Sequence, residues 1–145
     1  MNRAVTKDPV LVFDGDCAFC TACVAVAERY LRQTLASGGW DAVAYRSADL
    51  AELDARASGR GEVSRERAER EVLWVTPGGR VYGGAQAVAR LLMRSGGAPA
   101  WLGGLLALAP VRPVAALAYR WVAANRYRLP GGTRACALAS RQPRP

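Results

Sequence analysis

Clusters of apolar residues along the chain predict short strands that alternate with amphipathic helices. Four consecutive apolar residues at 10–13 indicate a buried strand, and apolar side chains that recur every three or four positions at 17–35 indicate a helix with Asp16 as its N-cap. The predicted inward stripe of this helix consists of Val24, Ala27, Tyr30, Leu31 and Leu35. The elements expected next are a strand at 40–45, a helix at 48–57, a polar loop at 58–70 with one helical turn capped by Ser64, strands at 71–76 and 80–82, and a helix at 85–94.

The order of these elements, β-α-β-α-β-β-α, is similar to that of the thioredoxin core. A helix joins the first two strands, so they should run parallel. Pro77-Gly78-Gly79 separates the last two strands and predicts an antiparallel hairpin. The expected fold class is therefore α/β, with a thioredoxin-like core.

Two further apolar segments, at 100–108 and 111–128, predict a helical C-terminal extension of this core. The predicted inward side of the second helix consists of Val114, Leu117, Ala118, Trp121 and Val122. We expect the extension to pack on the same domain. The chain then divides into a core at 1–96, the extension at 97–130 and a partly disordered tail at 131–145.

The net charge of +8 is concentrated in the second half of the chain. Residues 1–70 carry ten basic and eleven acidic side chains, whereas residues 71–145 carry ten arginines and a single acid, Glu71. A solvated arginine-rich surface is the simplest interpretation, and weak contact with a membrane surface or an acidic partner is the alternative. The aromatic residues of the basic half are expected in the core, so no nucleic-acid partner is predicted. They are Trp101, Tyr119, Trp121 and Tyr127.

The sequence contains no histidine, which excludes Ser-His and Cys-His catalytic pairs and histidine metal ligands. No secretory signal and no run of about 20 apolar residues is evident, so a cytoplasmic protein is expected. In that compartment cysteines are more often catalytic or metal-binding than structural.

Cys17 and Cys20 follow the first strand and begin the first helix, an arrangement that predicts dithiol–disulfide chemistry. A thiol reacts as its thiolate, and the N–H groups and dipole of a helix N-terminus favour that form. We expect Cys17, at the exposed helix tip, to attack and Cys20, one turn further, to resolve the mixed disulfide. Asp14 is expected to position or tune the pair, and Arg126 is a candidate for stabilising a thiolate if the last helix folds back toward it.

Cys23 and Cys136 leave a metal site open as an alternative. The spacing C-x2-C-x2-C with a distant fourth cysteine fits a zinc or iron–sulfur site. In a continuous helix, however, Cys23 lies about 120° around the axis from Cys17, which is unsuitable for shared ligation. We therefore predict no metal and no organic cofactor, with Cys23 as a small buried residue. The alternative function is a basic binding module whose cysteines are structural or hold a metal.

Three segments resemble the DCC family, which consists of thioredoxin-like proteins described as thiol-disulfide oxidoreductases. They are Asp14-Gly15-x-Cys17-x-x-Cys20, then Gly79-Arg80-Val81-Tyr82 with Gly84 to Val88, and finally the Y-x-x-x-A-x-N-R-Y pattern from Tyr119 to Tyr127. The resemblance covers about residues 9–129. It implies a dithiol role for Cys17 and Cys20, with Asp14 as the third signature residue and a protein or small-molecule thiol or disulfide as substrate. Unlike thioredoxins, the chain has no proline before the third strand.

Overall fold

A mixed four-stranded sheet forms the centre of the molecule. The structure is a computed structural model that describes residues 8–31, 39–126 and 128. The strands are β1 (Val10–Phe13), β2 (Asp41–Ala44), β3 (Leu73–Val75) and β4 (Val81–Gly83), in the spatial order β2-β1-β3-β4. β1 pairs with β2 in parallel and with β3 antiparallel, and β3 pairs antiparallel with β4. The parallel β1–β2 pair and the antiparallel β3–β4 pair are the predicted ones.

In the part of the chain that the structure describes, six helices accompany the sheet. They are α1 (Ala18–Leu31), α2 (Leu50–Ala57), α3 (Arg65–Arg70), α4 (Ala85–Ser95), α5 (Gly97–Ala107) and α6 (Arg112–Asn125). α3 occupies part of the segment predicted as a loop, and its N-cap is Ser64 as expected, since the Ser64 hydroxyl accepts the Arg67 N–H. Four predictions lie outside the described residues: Leu35, Tyr127, Cys136 and the tail.

The two faces of the sheet bury two separate apolar clusters. Side chains alternate across a strand, so Val10 and Val12 point to one face and Leu11 to the other. The first face packs against residues of α2 and α3, including Leu53 and Ala68. The second face packs against α1 and α4. Its buried members are Leu11, Val24, Ala27, Trp40, Trp74, Ala87 and Leu91. Helices on both faces of the sheet complete the thioredoxin-like core that the order of elements predicted.

The helical extension begins where α5 turns back against α4. Gly96, between the two helices, and Gly97, the first residue of α5, both have positive φ, which glycine adopts without strain. Close packing follows at Gly103, where a Cβ would overlap the carbonyl oxygen of Ala89. Within the described residues no single helix meets the length and hydropathy required to cross a bilayer. α5 and α6 together do, although a bend of 104° separates them.

The predicted inward side of α6 is wrong for Val114, Leu117, Ala118 and Trp121, whereas Val122 is partly buried. Val114, Leu117 and Trp121 lie in solvent, and the helix instead buries Ala115. Trp101 of α5 was also expected in the core, yet 84% of its surface is exposed. A similar error affects Tyr30 of α1, which is exposed while Val24 and Ala27 of the same predicted stripe are buried. Apolar periodicity locates a stripe, but it does not identify what covers that stripe.

Candidate active site

The turn after β1 is held by its own backbone and by Asp14. The Asp14 carbonyl accepts the Cys17 N–H at 3.3 Å, and the Asp14 carboxylate accepts the Asp16 N–H at 3.0 Å. Gly15 is required because a Cβ there would lie 2.8 Å from the Cβ of Ala44. The turn therefore packs tightly against β2 and directs the chain into α1.

Cys17, rather than Asp16, takes the position immediately before α1. Its carbonyl accepts the Thr21 N–H at 2.9 Å, and its Sγ accepts the Cys20 N–H at 3.3 Å. The Cys17 sulfur thus acts as an N-cap acceptor for an N–H group of the first turn that has no acceptor within the helix. An N–H aimed at sulfur stabilises negative charge there.

Cys17 is completely buried, so the expectation of an exposed sulfur at the helix tip is wrong. The packing of the Asp14–Asp16 turn on β2 brings Cys17 under the surface. Cys20, expected one turn deeper, is instead partly exposed, and Cys23 is exposed rather than buried. Cys20 is therefore the more accessible cysteine of the pair, whereas Cys17 is the one whose sulfur accepts an N–H at the helix N-terminus.

Cys20 holds its proton strongly. Burial is the largest cause that raises its pKa to about 12, and the hydrogen bond to Cys17 and the charge on Cys17 raise it further. The Arg126 guanidinium opposes this by favouring the thiolate. Cys17 and Arg126 therefore act on the pKa of Cys20 in opposite directions.

Arg126 comes from the C-terminal end of α6 and joins the site across 106 residues of sequence. Its Nη1 lies 3.9 Å from the Cys20 Sγ, and its Nη2 lies 3.5 Å from Asp14 Oδ2. Nη2 also donates to the Glu69 carbonyl at 3.0 Å. The ion pair with Asp14 is largely shielded, with 15% and 8% of the two side chains exposed. Arg126 therefore links the signature aspartate, the second cysteine and the end of α3.

Tyr119, two turns earlier in α6, fixes the segment before β3. Its hydroxyl accepts the Val72 N–H at 2.9 Å, and the Val72 carbonyl accepts the Gly84 N–H at 3.0 Å. Both backbone groups of Val72 are therefore occupied within the protein. Thioredoxins carry a proline just before the third strand, opposite the dithiol. In this chain residues 70–72 precede that strand, and the Tyr119 hydroxyl is hydrogen-bonded to the last of them.

The two glycines before α4 make room for Glu71. A Cβ at Gly83 would overlap the Glu71 carboxylate, and one at Gly84 would lie 3.1 Å from its Oε2. Gly84 also has a φ of +59°, which disfavours other residues. Glu71 pairs with Arg67 at 2.8 Å. The space at the start of α4 thus contains an anionic side chain of the protein itself.

An apolar groove of about 610 Å³ runs along the outside of this site. Cys20 and Cys23 of α1 line it, together with Val88 of α4 and Val122 of α6, whereas Cys17 does not. Among the described residues no group of three or more Cys, Asp or Glu is placed to hold a metal ion. Of the Cys17–Cys20 pair, Cys20 is thus the cysteine that lines the groove.

The geometry brings together all three predicted site residues, Asp14, Cys17 and Cys20, and the comparison with known families agrees. A family model described as DCC1-like thiol-disulfide oxidoreductase matches residues 11–132. The chain belongs to this family. The match extends from β1 through α6, so it includes the dithiol turn and Arg126. No curated protein and no solved structure matches the chain.

The structure adds two residues of α6, Tyr119 and Arg126, to the three predicted site residues. Tyr119 was expected in the core and proves to be a hydrogen-bond acceptor beside the dithiol. Arg126 was considered, and it does fold back onto the pair. Both lie in the Y-x-x-x-A-x-N-R-Y segment, where an arginine and an aromatic hydroxyl seven positions apart share one face of a helix. That segment was the available signal.

Proposed function

We propose that this DCC1-like protein is a thiol–disulfide oxidoreductase whose Cys17 and Cys20 alternate between a dithiol and a disulfide. The single observation that supports it best is the contact between the two cysteines at the start of α1, where the Cys17 Sγ accepts the Cys20 N–H at 3.3 Å. Burial and the neighbouring Cys17 raise the pKa of Cys20 to about 12. Two adjacent thiols at a helix N-terminus, one to attack and one to resolve the mixed disulfide, are the arrangement that disulfide exchange needs.

In the proposed reduction, the Cys17 thiolate attacks one sulfur of a substrate disulfide. A Cys17–substrate disulfide forms, the substrate S–S bond breaks, and the departing thiolate takes a proton. Cys20 then loses its proton and attacks the Cys17 Sγ, which expels the second substrate thiolate. The substrate gains two electrons and the protein becomes a Cys17–Cys20 disulfide. An external dithiol reverses the last state, and the opposite sequence of steps oxidises a substrate dithiol.

Asp14 and Arg126 are proposed to govern the second half of this cycle. The Arg126 guanidinium, 3.9 Å from the Cys20 Sγ, stabilises the thiolate that Cys20 must become. Asp14 holds Arg126 in place through the shielded ion pair. Asp14 thus acts as a positioning residue, and Arg126 touches the reacting sulfur.

Access is the condition that this proposal must meet, because Cys17 is buried and Cys20 is not. A thiol with a pKa of about 12 is ionised to only about one part in 10⁵ at pH 7. We therefore propose Cys17 as the attacking sulfur despite the better exposure of Cys20. The substrate is then proposed to approach along the groove beside Cys20, and the Asp14–Asp16 turn to shift enough to uncover the Cys17 sulfur.

Trapping of mixed disulfides tests both the reaction and the roles. The Cys20→Ser variant should accumulate a stable adduct with a model disulfide at Cys17, identified by peptide mass mapping, and the Cys17→Ser variant should accumulate none. Both variants should lose insulin-disulfide reduction with dithiothreitol as the external reductant. Cys23→Ser is the matched control on the same helix and should retain turnover.

Three outcomes contradict the proposal in distinct ways. Turnover that survives Cys17→Ser removes the dithiol cycle altogether. An adduct that forms on Cys20 in the Cys17→Ser variant reverses the two roles. Stoichiometric zinc or iron in freshly purified protein, lost on Cys17→Ser and Cys20→Ser substitution, supports the rival interpretation as a binding module whose cysteines hold a metal.

A further inference from the structure

Large apolar side chains lie exposed along α5, α6 and the bend that joins them. Single exposed apolar residues on a protein surface need no explanation, but stripes of large ones at helical spacing on two consecutive helices indicate an interaction surface. We define the outer apolar surface by six residues: Trp101, Leu105, Leu108, Val114, Leu117 and Trp121. All six have more than half of their surface exposed.

The outer apolar surface is separate from the dithiol site, although α6 contributes to both. At about 100° per residue, Val114, Leu117 and Trp121 fall on one stripe of α6. The stripe that faces the site lies roughly 140° away around the same helix. It contains Ala115, Tyr119, Val122 and Arg126. Contacts with the dithiol therefore leave the outer stripe uncovered.

Charge identifies the kind of partner that fits this surface. Residues 72–128 contain no Asp or Glu, whereas Arg112 and Arg120 of α6 are exposed. Arg112 lies at the bend between the helices and Arg120 lies on the remaining side of α6, about 90° from the outer stripe. A partner must therefore combine an apolar layer with negative charge at its edge. Two exposed tryptophans are the side chains most typical of the boundary between lipid chains and headgroups.

We propose that the outer apolar surface binds an anionic lipid bilayer, with α5 and α6 lying along the interface. The tryptophans and leucines enter the acyl boundary, and Arg112 and Arg120 extend along it to reach the phosphates. A second copy of the chain fits less well, because a symmetric contact brings the same arginines together with no acid on this surface to pair with them.

This orientation has a consequence for the dithiol. The helix α6 is only about 10–12 Å wide with its side chains, and its opposite side holds Arg126 against Cys20. Bound through the outer apolar surface, the protein holds its sulfurs roughly one helix diameter above the bilayer. Thiols and disulfides near a membrane surface are then the substrates within reach.

Vesicle binding of the full chain tests the proposal, with intrinsic fluorescence as a built-in reporter. Trp40 and Trp74 are buried, so Trp101 and Trp121 are the exposed tryptophans. We expect co-sedimentation and a blue shift with vesicles of phosphatidylcholine and phosphatidylglycerol, and little of either with phosphatidylcholine alone. Raising the salt from about 0.1 M to about 1 M shortens the Debye length from about 10 to about 3 Å and should weaken binding.

Variants on the outer apolar surface separate the apolar contribution to vesicle binding from the contribution of the arginines. Trp101→Ala with Trp121→Ala should weaken partitioning at least about tenfold. Arg112→Gln and Arg120→Gln should each weaken it about fivefold on anionic vesicles only. Val26→Ala with Tyr30→Ala, exposed on α1, and Arg60→Gln in the polar segment before α3 are the matched controls and should leave binding unchanged.

The negative outcomes are equally defined. The proposal fails if anionic vesicles do not bind the protein, if neutral vesicles bind it as tightly, or if the tryptophan variants bind like the parent. It also fails if the chain is a dimer that Trp101→Ala and Trp121→Ala dissociate, since a second copy then covers the surface. Should the double variant not fold, quenching of the parent's tryptophans by brominated lipid tests the same contact. Repeating the assay with Cys17→Ser separates vesicle binding from the dithiol reaction.

Discussion

The two sides of α6 are arranged in the opposite way from an ordinary amphipathic helix. The side toward the dithiol carries Tyr119 and Arg126, whose polar groups are shielded and paired. The side toward solvent carries Val114, Leu117 and Trp121. Ordinary helices bury their apolar stripe. Tyr119 and Arg126 therefore account for the side of α6 that faces the site, and the outer side belongs to the surface that we propose binds a bilayer.

The largest expected effect on this comparison comes from Arg126→Ala. The substitution leaves the buried Asp14 carboxylate without its ion-pair partner, and removing one member of a buried pair typically costs about 3–5 kcal/mol. Urea unfolding measures the loss. Arg120→Ala, on the outer half of the same helix, is the control and should change stability by less than about 0.5 kcal/mol. Equal effects of the two substitutions would show that the inner side has no special role.

Tyr119→Phe should have the next largest effect. It deletes the hydroxyl that accepts the Val72 N–H, and a backbone donor left without a partner in a part-buried position costs about 1–3 kcal/mol. Tyr30→Phe removes the same atom from an exposed tyrosine and should be neutral. The measurement is the midpoint of thermal unfolding, and a neutral Tyr119→Phe contradicts the assigned hydrogen bond.

The pKa of Cys20 gives a third way to distinguish the inner side of α6, which carries Arg126, from the rest of that helix. Because the hydrogen bond and charge of Cys17 both raise the Cys20 pKa, Cys17→Ser should lower it from about 12 toward 9.0. Adding Arg126→Gln in that background should raise it again, since the guanidinium favours the thiolate, whereas Arg120→Gln should not. The pH dependence of Cys20 alkylation, followed by mass spectrometry, measures each value. A Cys20 pKa that ignores Arg126 separates the arginine from the reaction.

The raised Cys20 pKa also sets a direction for stability at alkaline pH. Up to about pH 9 the thiol is protonated in both the folded and the unfolded chain, so it contributes no pH dependence. Between pH 9 and about 12 the unfolded chain releases this proton and the folded chain keeps it, so stability falls as pH rises. Unfolding of the parent should therefore lose more free energy over this range than unfolding of Cys20→Ser. If the unfolding free energies of the parent and of Cys20→Ser change in parallel with pH, the raised pKa of Cys20 is contradicted.

The smallest expected effect is on the outer side itself. Leu117→Gln replaces an exposed apolar side chain by a polar one of similar length and should change the free energy of unfolding by less than about 0.5 kcal/mol. Ala115→Gln, two positions away on the buried side, should destabilise by overpacking, typically by about 1–3 kcal/mol. Urea denaturation of both variants locates the buried stripe of α6 directly.

Local patterns predicted the core well. β1 and the Pro77-Gly78-Gly79 hairpin lie where their residues indicate, and the parallel and antiparallel directions follow from the connections between strands. Ser64 caps α3 because a hydroxyl at that position needs only residues three places away. Elements that are stabilised by residues close to them in sequence can therefore be predicted from the sequence alone.

Two features of the site were misread for the opposite reason. The turn that precedes the buried Cys17 packs through Gly15 against Ala44, a contact between segments about 30 residues apart in sequence. The orientation of α6 depends on Tyr119 reaching Val72 and Arg126 reaching Asp14. Both sides of α6 contain apolar residues, so its periodicity alone does not select the buried side.

The sequence by itself determined the order of elements along the chain, the family and the pair of cysteines, because spacing along a strand, turn or helix start is a local property. Only the tertiary structure decided which sulfur is accessible, that Arg126 completes the dithiol site and that the large apolar side chains of α6 face outward. Each of these depends on contacts between distant segments, and the free energy of such contacts is not encoded in the pattern of either segment alone.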